Sequence, residues 1–168
     1  GLYVDDDDQT IYIADASNHR IVEWKWGATS GQVVAGGNGQ GNETHQLSDP
    51  LDVIADKEKD SLIICDYSNR RVIRWARRNG TSGETIISNI NCWGLTMGEN
   101  GSLYAVDYGK HEVRRYRRGE SQGIVVAGSN GSGNRLDQLS YPRYVFVDRD
   151  HSVYVFAEKR INATNLLQ

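Results

Sequence analysis

Two prolines, two cysteines and one methionine are all that 168 residues hold of these types, and each scarcity excludes something. So few cysteines rule out a disulfide framework. Cys65 and Cys92 occupy non-equivalent places in the chain, and Cys65 is expected as a buried free thiol. No apolar run is long enough to cross a membrane as a helix. No window carries a sustained helical period, which argues against amphipathic helices. A formal charge of −3 lacks the basic excess of a general nucleic-acid binder. The chain opens with no signal-peptide pattern and no methionine.

What is present is repetition, set among 18 glycines. Ile11-Tyr-Ile-Ala-Asp15 returns as Leu62-Ile-Ile-Cys-Asp66, as Leu103-Tyr-Ala-Val-Asp107, and in degraded form as Val153-Tyr-Val-Phe-Ala157. A self-similar period of roughly 40–50 residues marks stacked repeats or propeller blades. The steps are unequal for a visible reason. Gln32-Val-Val-Ala-Gly-Gly leads through a Gly/Asn-rich stretch to Gln46-Leu47-Ser48-Asp49-Pro50. The same phrase runs from Gly123-Ile-Val-Val-Ala-Gly to Gln138-Leu139-Ser140-Tyr141-Pro142. The middle unit lacks this insert, as an optional loop on a repeated core can. The units lie near 1–50, 51–92, 93–142 and 143–157, with a degenerate tail at 158–168 where a further strand should come.

Within each unit, short runs rich in β-branched and aromatic residues alternate with Gly, Asn and Asp clusters, which is the signature of strands and turns. The first unit reads Leu2–Asp5, Thr10–Ala14, Arg20–Trp26 and Gln32–Ala35. Several runs are apolar on both faces, as in a sheet sandwiched between others. Four short antiparallel strands per unit spell a propeller blade, so the expected fold is all-β. Trp24, Trp75 and Tyr116 each follow their unit's aspartate by nine residues and are expected to pack between blades.

Asp15-Ala-Ser-Asn18-His19-Arg20-Ile21 and Asp66-Tyr-Ser-Asn69-Arg70-Arg71-Val72 resemble the motif of NHL repeats, and Asp107-Tyr-Gly-Lys110-His111-Glu112-Val113 is a weaker copy. The Val-Val-Ala-Gly runs, each followed by a long loop and Gln-Leu-x-x-Pro, are similar to the long-loop variety of secreted-type NHL proteins. The resemblance covers about residues 1–157. It implies a β-propeller closing with about six blades, of which this chain would supply about three and a half. An open propeller would expose apolar blade faces to self-association.

Asp15, Asp66 and Asp107 recur in register, which suits a turn-forming side chain better than a catalytic group. With Asn18, His19, Arg20, Asn69, Arg70 and His111 they read as the structural repeat motif. Asp5–Asp8 reads as a solvated turn, because it lacks the spaced oxygens of a calcium loop. Gly36–Asp49 and Gly128–Tyr141 open no helix that could hold a phosphate and read as flexible surface loops. His19, His45, His111 and His151 form no zinc-ligand pattern. No catalytic residue, metal or cofactor is expected.

The expected function is therefore a non-catalytic binding or scaffold module, presenting those two loops to a protein or glycan partner. Sequons at Asn42, Asn79 and Asn130 favour glycosylation and an extracellular location, with a cytoplasmic location as the alternative. Arg70, Arg71, Arg74 and Arg77, with Arg114, Arg115 and Arg117, could instead form a basic stripe interleaved with aromatics. That would suit an RNA-binding or substrate-recruiting propeller of a tripartite-motif ubiquitin-ligase type. A metal-dependent amidating-lyase-like enzyme is the second alternative.

Overall fold

Strand-forming runs separated by tight polar turns should pair with their sequence neighbours, and they do throughout. The computed structural model describes residues 1–157 and 160–164. Four antiparallel sheets form, each in sequence order. The first contains β1 (Leu2–Asp5), β2 (Thr10–Asp15), β3 (Arg20–Lys25) and β4 (Gln32–Gly36). The second contains β5 (Pro50–Asp56), β6 (Ser61–Asp66), β7 (Arg71–Ala76) and β8 (Gly83–Ser88). The third contains β9 (Cys92–Met97), β10 (Leu103–Asp107), β11 (Glu112–Tyr116) and β12 (Ile124–Gly128). The fourth contains β13 (Pro142–Val147), β14 (Val153–Ala157) and β15 (Arg160–Thr164). The last of these lies where the sequence suggested only a degenerate tail, and it pairs with β14 from Ala157↔Arg160 to Val153↔Thr164. An edge strand gains its ladder from backbone groups, so Arg-Ile-Asn-Ala-Thr needs no repeat motif to join.

The repeat extends to irregularities. Between the third and fourth strands of the first three sheets the register shifts after Ile21, Val72 and Val113, which are equivalent positions. Such bulges increase local twist.

The chain divides into two compact units, Gly1–Asn89 and Ile90–Gln168. In the first unit, Tyr12, Ile21 and Leu47 from the first blade pack with Val53, Leu62, Ile64, Ile73 and Trp75 from the second. In the second unit, Tyr104, Val113 and Leu139 pack with Val145, Val147, Val153 and Val155. Trp75 and Tyr116 are buried, and burial pushes the Tyr116 hydroxyl up to about 12. An added Cβ at Gly83 would sit 2.5 Å from Ile73 Cδ1 and 2.8 Å from the Trp75 ring, so glycine at the start of β8 lets both side chains approach the backbone.

Two expectations are corrected here. Both cysteines are disulfide-bonded and neither is free. Repeat logic searches for recurrence, whereas a disulfide needs only one spatial approach, which spacing does not encode. Under denaturing, non-reducing conditions a thiol reagent should find no reactive cysteine, and reductant should release both. Reduction should lower folding stability by about 2–4 kcal/mol; full thiol reactivity without reductant would contradict the assignment.

The acidic run is a solvated turn only in part: Asp6, Asp7 and Asp8 are exposed in the β1–β2 turn, but Asp5 is not. Asp5 is buried, with Lys57 Nζ at 2.9 Å and an Arg77 terminal nitrogen at 3.0 Å. Asp7 pairs with Lys57, and Asp8 with Arg77. The run thus ties the β1–β2 turn to the second blade. Burial alone would raise the Asp5 carboxyl, but Lys57 and Arg77 outweigh it and hold the group below its ordinary value. Arg20 and Asn18 hold Asp15 down by hydrogen bonds. Depressed carboxylates contribute stability above their unfolded pKa and lose it as pH falls through the folded value. Denaturation midpoints should therefore hold steady from neutrality to about pH 5 and decline below about pH 4. Asp5→Asn should be less stable at neutral pH and show a shallower acid decline; an unchanged acid slope would count against the pairing.

Candidate functional site

Each of the first three sheets turns from its second to its third strand through the same motif. In the first, Asn18 Nδ2 donates to Asp15 Oδ1 at 2.9 Å and Arg20 Nε to Oδ2 at 2.8 Å. In the second, Asn69 Nδ2 and Arg71 Nε both donate to Asp66 Oδ2 at 2.7 Å. In the third, where Asn and Arg are replaced by Lys110 and Glu112, the Lys110 backbone N–H donates to Asp107 Oδ1 at 3.1 Å. The residue after the Asn/Lys position turns left-handed: His19 at φ 51°, Arg70 at 52° and His111 at 56°. The aspartates thus face their own turns.

Both histidines also hold the end of a long loop. The Asp49 N–H donates to His19 Nδ1 at 3.1 Å, and the Tyr141 N–H donates to His111 Nδ1 at 3.2 Å. Each Nδ1 is the acceptor in this contact. Among the described residues no group of three or more His, Cys, Asp or Glu could hold a metal ion.

The sequence reads the long loops as flexible, and in the structure hydrogen bonds cross each of them. Asn38 Nδ2 donates to the His45 carbonyl at 2.9 Å, and Gln46 Nε2 donates back to the Asn38 carbonyl at 3.0 Å. Ninety-two positions on, Asn130 Nδ2 donates to the Asp137 carbonyl at 3.1 Å and Gln138 Nε2 to the Asn130 carbonyl at 2.8 Å. Gln40↔Leu47 and Ser132↔Leu139 form equivalent β-bridges, and both leucines are buried. Each loop is a closed clamp on an apolar anchor. The signal was legible as Asn…Gln-Leu, but glycine content masked it.

The second loop carries what the first does not. Leu136 stands 90% exposed at its tip. Its final residue, Tyr141, is exposed and meets His111 edge-on at 4.7 Å and Tyr108 at 5.3 Å between ring centroids. Tyr108 stacks on Trp93 at 4.7 Å, and the Arg143 guanidinium lies 5.0 Å over Trp93. Sequence reasoning missed this aromatic row because its members come from three separate segments.

The arginines largely meet local partners. Arg71 holds Asp66 and the carbonyls of Asn42, Glu43 and Gln46. Arg74 faces Asp56 at 3.8 Å, Arg77 holds Asp5 and Asp8, and Arg114 pairs with Glu112. Arg115 is half-buried, while Arg70 and Arg117 are exposed. Asn42, Asn79 and Asn130 are all exposed; the Asn130 amide is engaged in the loop clamp.

A cavity of about 640 Å³ opens in the first unit beside Tyr12, Glu23, Arg77 and Asn79. At its floor the Tyr12 hydroxyl donates to Glu23 at 3.2 Å and accepts from Arg77 Nε at 3.1 Å. Burial, first of all, raises the Tyr12 hydroxyl above its ordinary value, so it stays protonated at neutral pH.

No protein-family model matches the sequence, and no curated protein matches it at a significant level. Solved structures do. A nidogen/laminin complex contains a chain that superposes with a TM-score of 0.76 at 21% identity, over 99% of this chain and 59% of that one. A structural genomics protein of unknown function from Bacteroides thetaiotaomicron gives 0.76 at 16% identity, over 95% and 45%. Streptogramin B lyase gives 0.67 at 10% identity, over 99% and 51%. These likenesses show the fold, an incomplete β-propeller of four-stranded antiparallel blades. The chain spans between 45% and 59% of the length of these three structures.

Proposed function

We propose that the chain is a non-catalytic binding module whose contact surface is the clamped loop Gly128–Tyr141 and the aromatic row it ends on. The observation that carries this reading is the row itself: partly exposed Trp93, Tyr108 and Tyr141 with Arg143 over one end. Trp, Tyr and Arg are the residue types that dominate protein–protein hot spots. A loop closed by its own hydrogen bonds loses little freedom on binding. Leu136 adds an apolar tip beside this row in sequence, on the same loop.

The partner is a protein, and the setting extracellular. The nidogen/laminin complex supports a protein partner as a precedent for this fold. Disulfide-bonded cysteines and exposed sequons at Asn42 and Asn79 support an oxidising, secretory environment.

Surface plasmon resonance against purified extracellular matrix proteins, laminin among them, tests the reading. Saturable binding should weaken at least tenfold for Tyr141→Ala and for Leu136→Ala, each with an unchanged circular dichroism spectrum. Binding that ignores both substitutions would overturn it. Binding to single-stranded RNA that collapses with salt and with Arg117→Ala would replace it by the nucleic-acid alternative.

A further inference from the structure

The cavity beside Tyr12 lies within the first unit, between β2–β4 of the first sheet and the β7–β8 turn of the second. Three cations line it, and each already faces a carboxylate. Lys25 meets Glu23 at 3.9 Å, Arg77 holds Asp5 and Asp8, and Arg78 meets Asp60 at 3.8 Å. A charged occupant would compete with one of these pairs and strand its partner, whereas a neutral one would leave them whole. The polar groups suit hydroxyls: Glu23 accepts, Arg77 donates, and the amides of Gln32 and Asn79, both exposed residues, do both. Val33, exposed, and Val34, partly buried, add an apolar flank. Donors and acceptors beside a small apolar patch fit a neutral sugar ring, with hydroxyls on its edge and C–H groups on its face. The volume of about 640 Å³ is ample for one.

This chemistry is not part of the repeat. Tyr12 recurs 92 positions on as Tyr104, but the place of Glu23 is taken by Arg74 in the second blade and Arg115 in the third. Asn79 opens the sequon Asn79-Gly-Thr81 in the β7–β8 turn, and its equivalents are Ala28 in the first blade and Glu120 in the third. Among these three blades, then, the sequon and the acid that lines the same cavity occur together at one junction.

We propose that this cavity seats the first sugar of a glycan carried on Asn79, bridging the first and second blades; the inference rests on the secretory setting already proposed. Attachment forms a bond from Asn79 Nδ2 to the anomeric carbon of the sugar and breaks that carbon's bond to the phosphate of a lipid-diphosphate donor. The diphosphate leaves with the electron pair, and one amide proton is released. The attached sugar starts at the cavity rim, so it meets Glu23 and Gln32 at high effective concentration and without the loss of translational freedom that a free sugar would suffer.

Secretion of the chain from cultured animal cells, followed by timed release of its glycans with a peptide N-glycosidase, tests this; peptide masses read each site as Asn converts to Asp. Asn79 should carry a glycan. In the folded protein it should lose that glycan at least about fivefold more slowly than Asn42, which does not line the cavity, a ratio that one net hydrogen bond supplies. Denaturation should equalise the two rates. Gln32→Ala and Glu23→Ala should each speed release at Asn79 alone, with circular dichroism checking the fold; Gln32 is exposed, so its replacement spares the core. Equal rates at both sites in the folded protein would overturn the proposal, as would slow release that ignores both substitutions. A bare Asn79 beside an occupied Asn42 would overturn it while leaving the secretory setting intact, and two bare sites would remove both.

Discussion

Asp66→Ala should destabilise the fold by about 3–5 kcal/mol, the cost of removing one partner from a buried ion pair. The Asp66 side chain has no solvent exposure and accepts from Arg71, from Asn69 and from the Ser48 backbone N–H at 2.7 Å. Its loss leaves the Arg71 guanidinium, itself 12% exposed, beside an empty site, and frees the end of the first long loop. The repeat-equivalent Asp15 is the control. Its side chain is 28% exposed and its Arg20 partner 38%, so Asp15→Ala should cost only about 1 kcal/mol or less. Urea denaturation of both variants reads the difference. Equal losses would mean that motif identity, not burial, sets the energetics.

Trp75→Ala should cost about 3–5 kcal/mol, the range for emptying a large aromatic site in a core. The Trp75 ring is buried between two blades of its unit, and its Nε1–H donates to the Gly80 carbonyl at 3.0 Å. Trp24 makes the equivalent bond to the Ala28 carbonyl at 3.1 Å but is 39% exposed. Trp24→Ala should cost about 1 kcal/mol or less. A Trp24 effect as large as that of Trp75 would show that burial does not set the difference between the two sites.

The blades were legible because their information is local. Alternation, turn chemistry and the Asp15/Asp66/Asp107 register each act within a few residues, and the same phrase recurs often enough to average out noise. The left-handed turns at His19, Arg70 and His111 follow from the same motif. What escaped was long-range. Asp5 meets Arg77 across 72 positions, and nothing near Asp5 distinguishes a paired carboxylate from a solvated one. The disulfide and the Trp93–Tyr108–Tyr141 row have the same character: each is assembled from segments whose own patterns are unremarkable. The bonding inside the long loops escaped for another reason. Glycine signals backbone freedom, but Asn38 with Gln46, and Asn130 with Gln138, use that freedom to close a fixed turn.

Preformed loops are central to the binding function proposed, and hydrogen exchange resolved to single amides tests them most directly. The Gly37 N–H donates to the His19 carbonyl, Gly41 to Leu47, Ser129 to His111 and Gln138 to Arg135, all within 3.3 Å. These four amides should exchange well below their intrinsic rates, and Asn38→Ala or Asn130→Ala should release those of its own loop alone. Exchange of all four at intrinsic rates in the unmodified chain would contradict the account, leaving the loops as the mobile segments their glycines suggest.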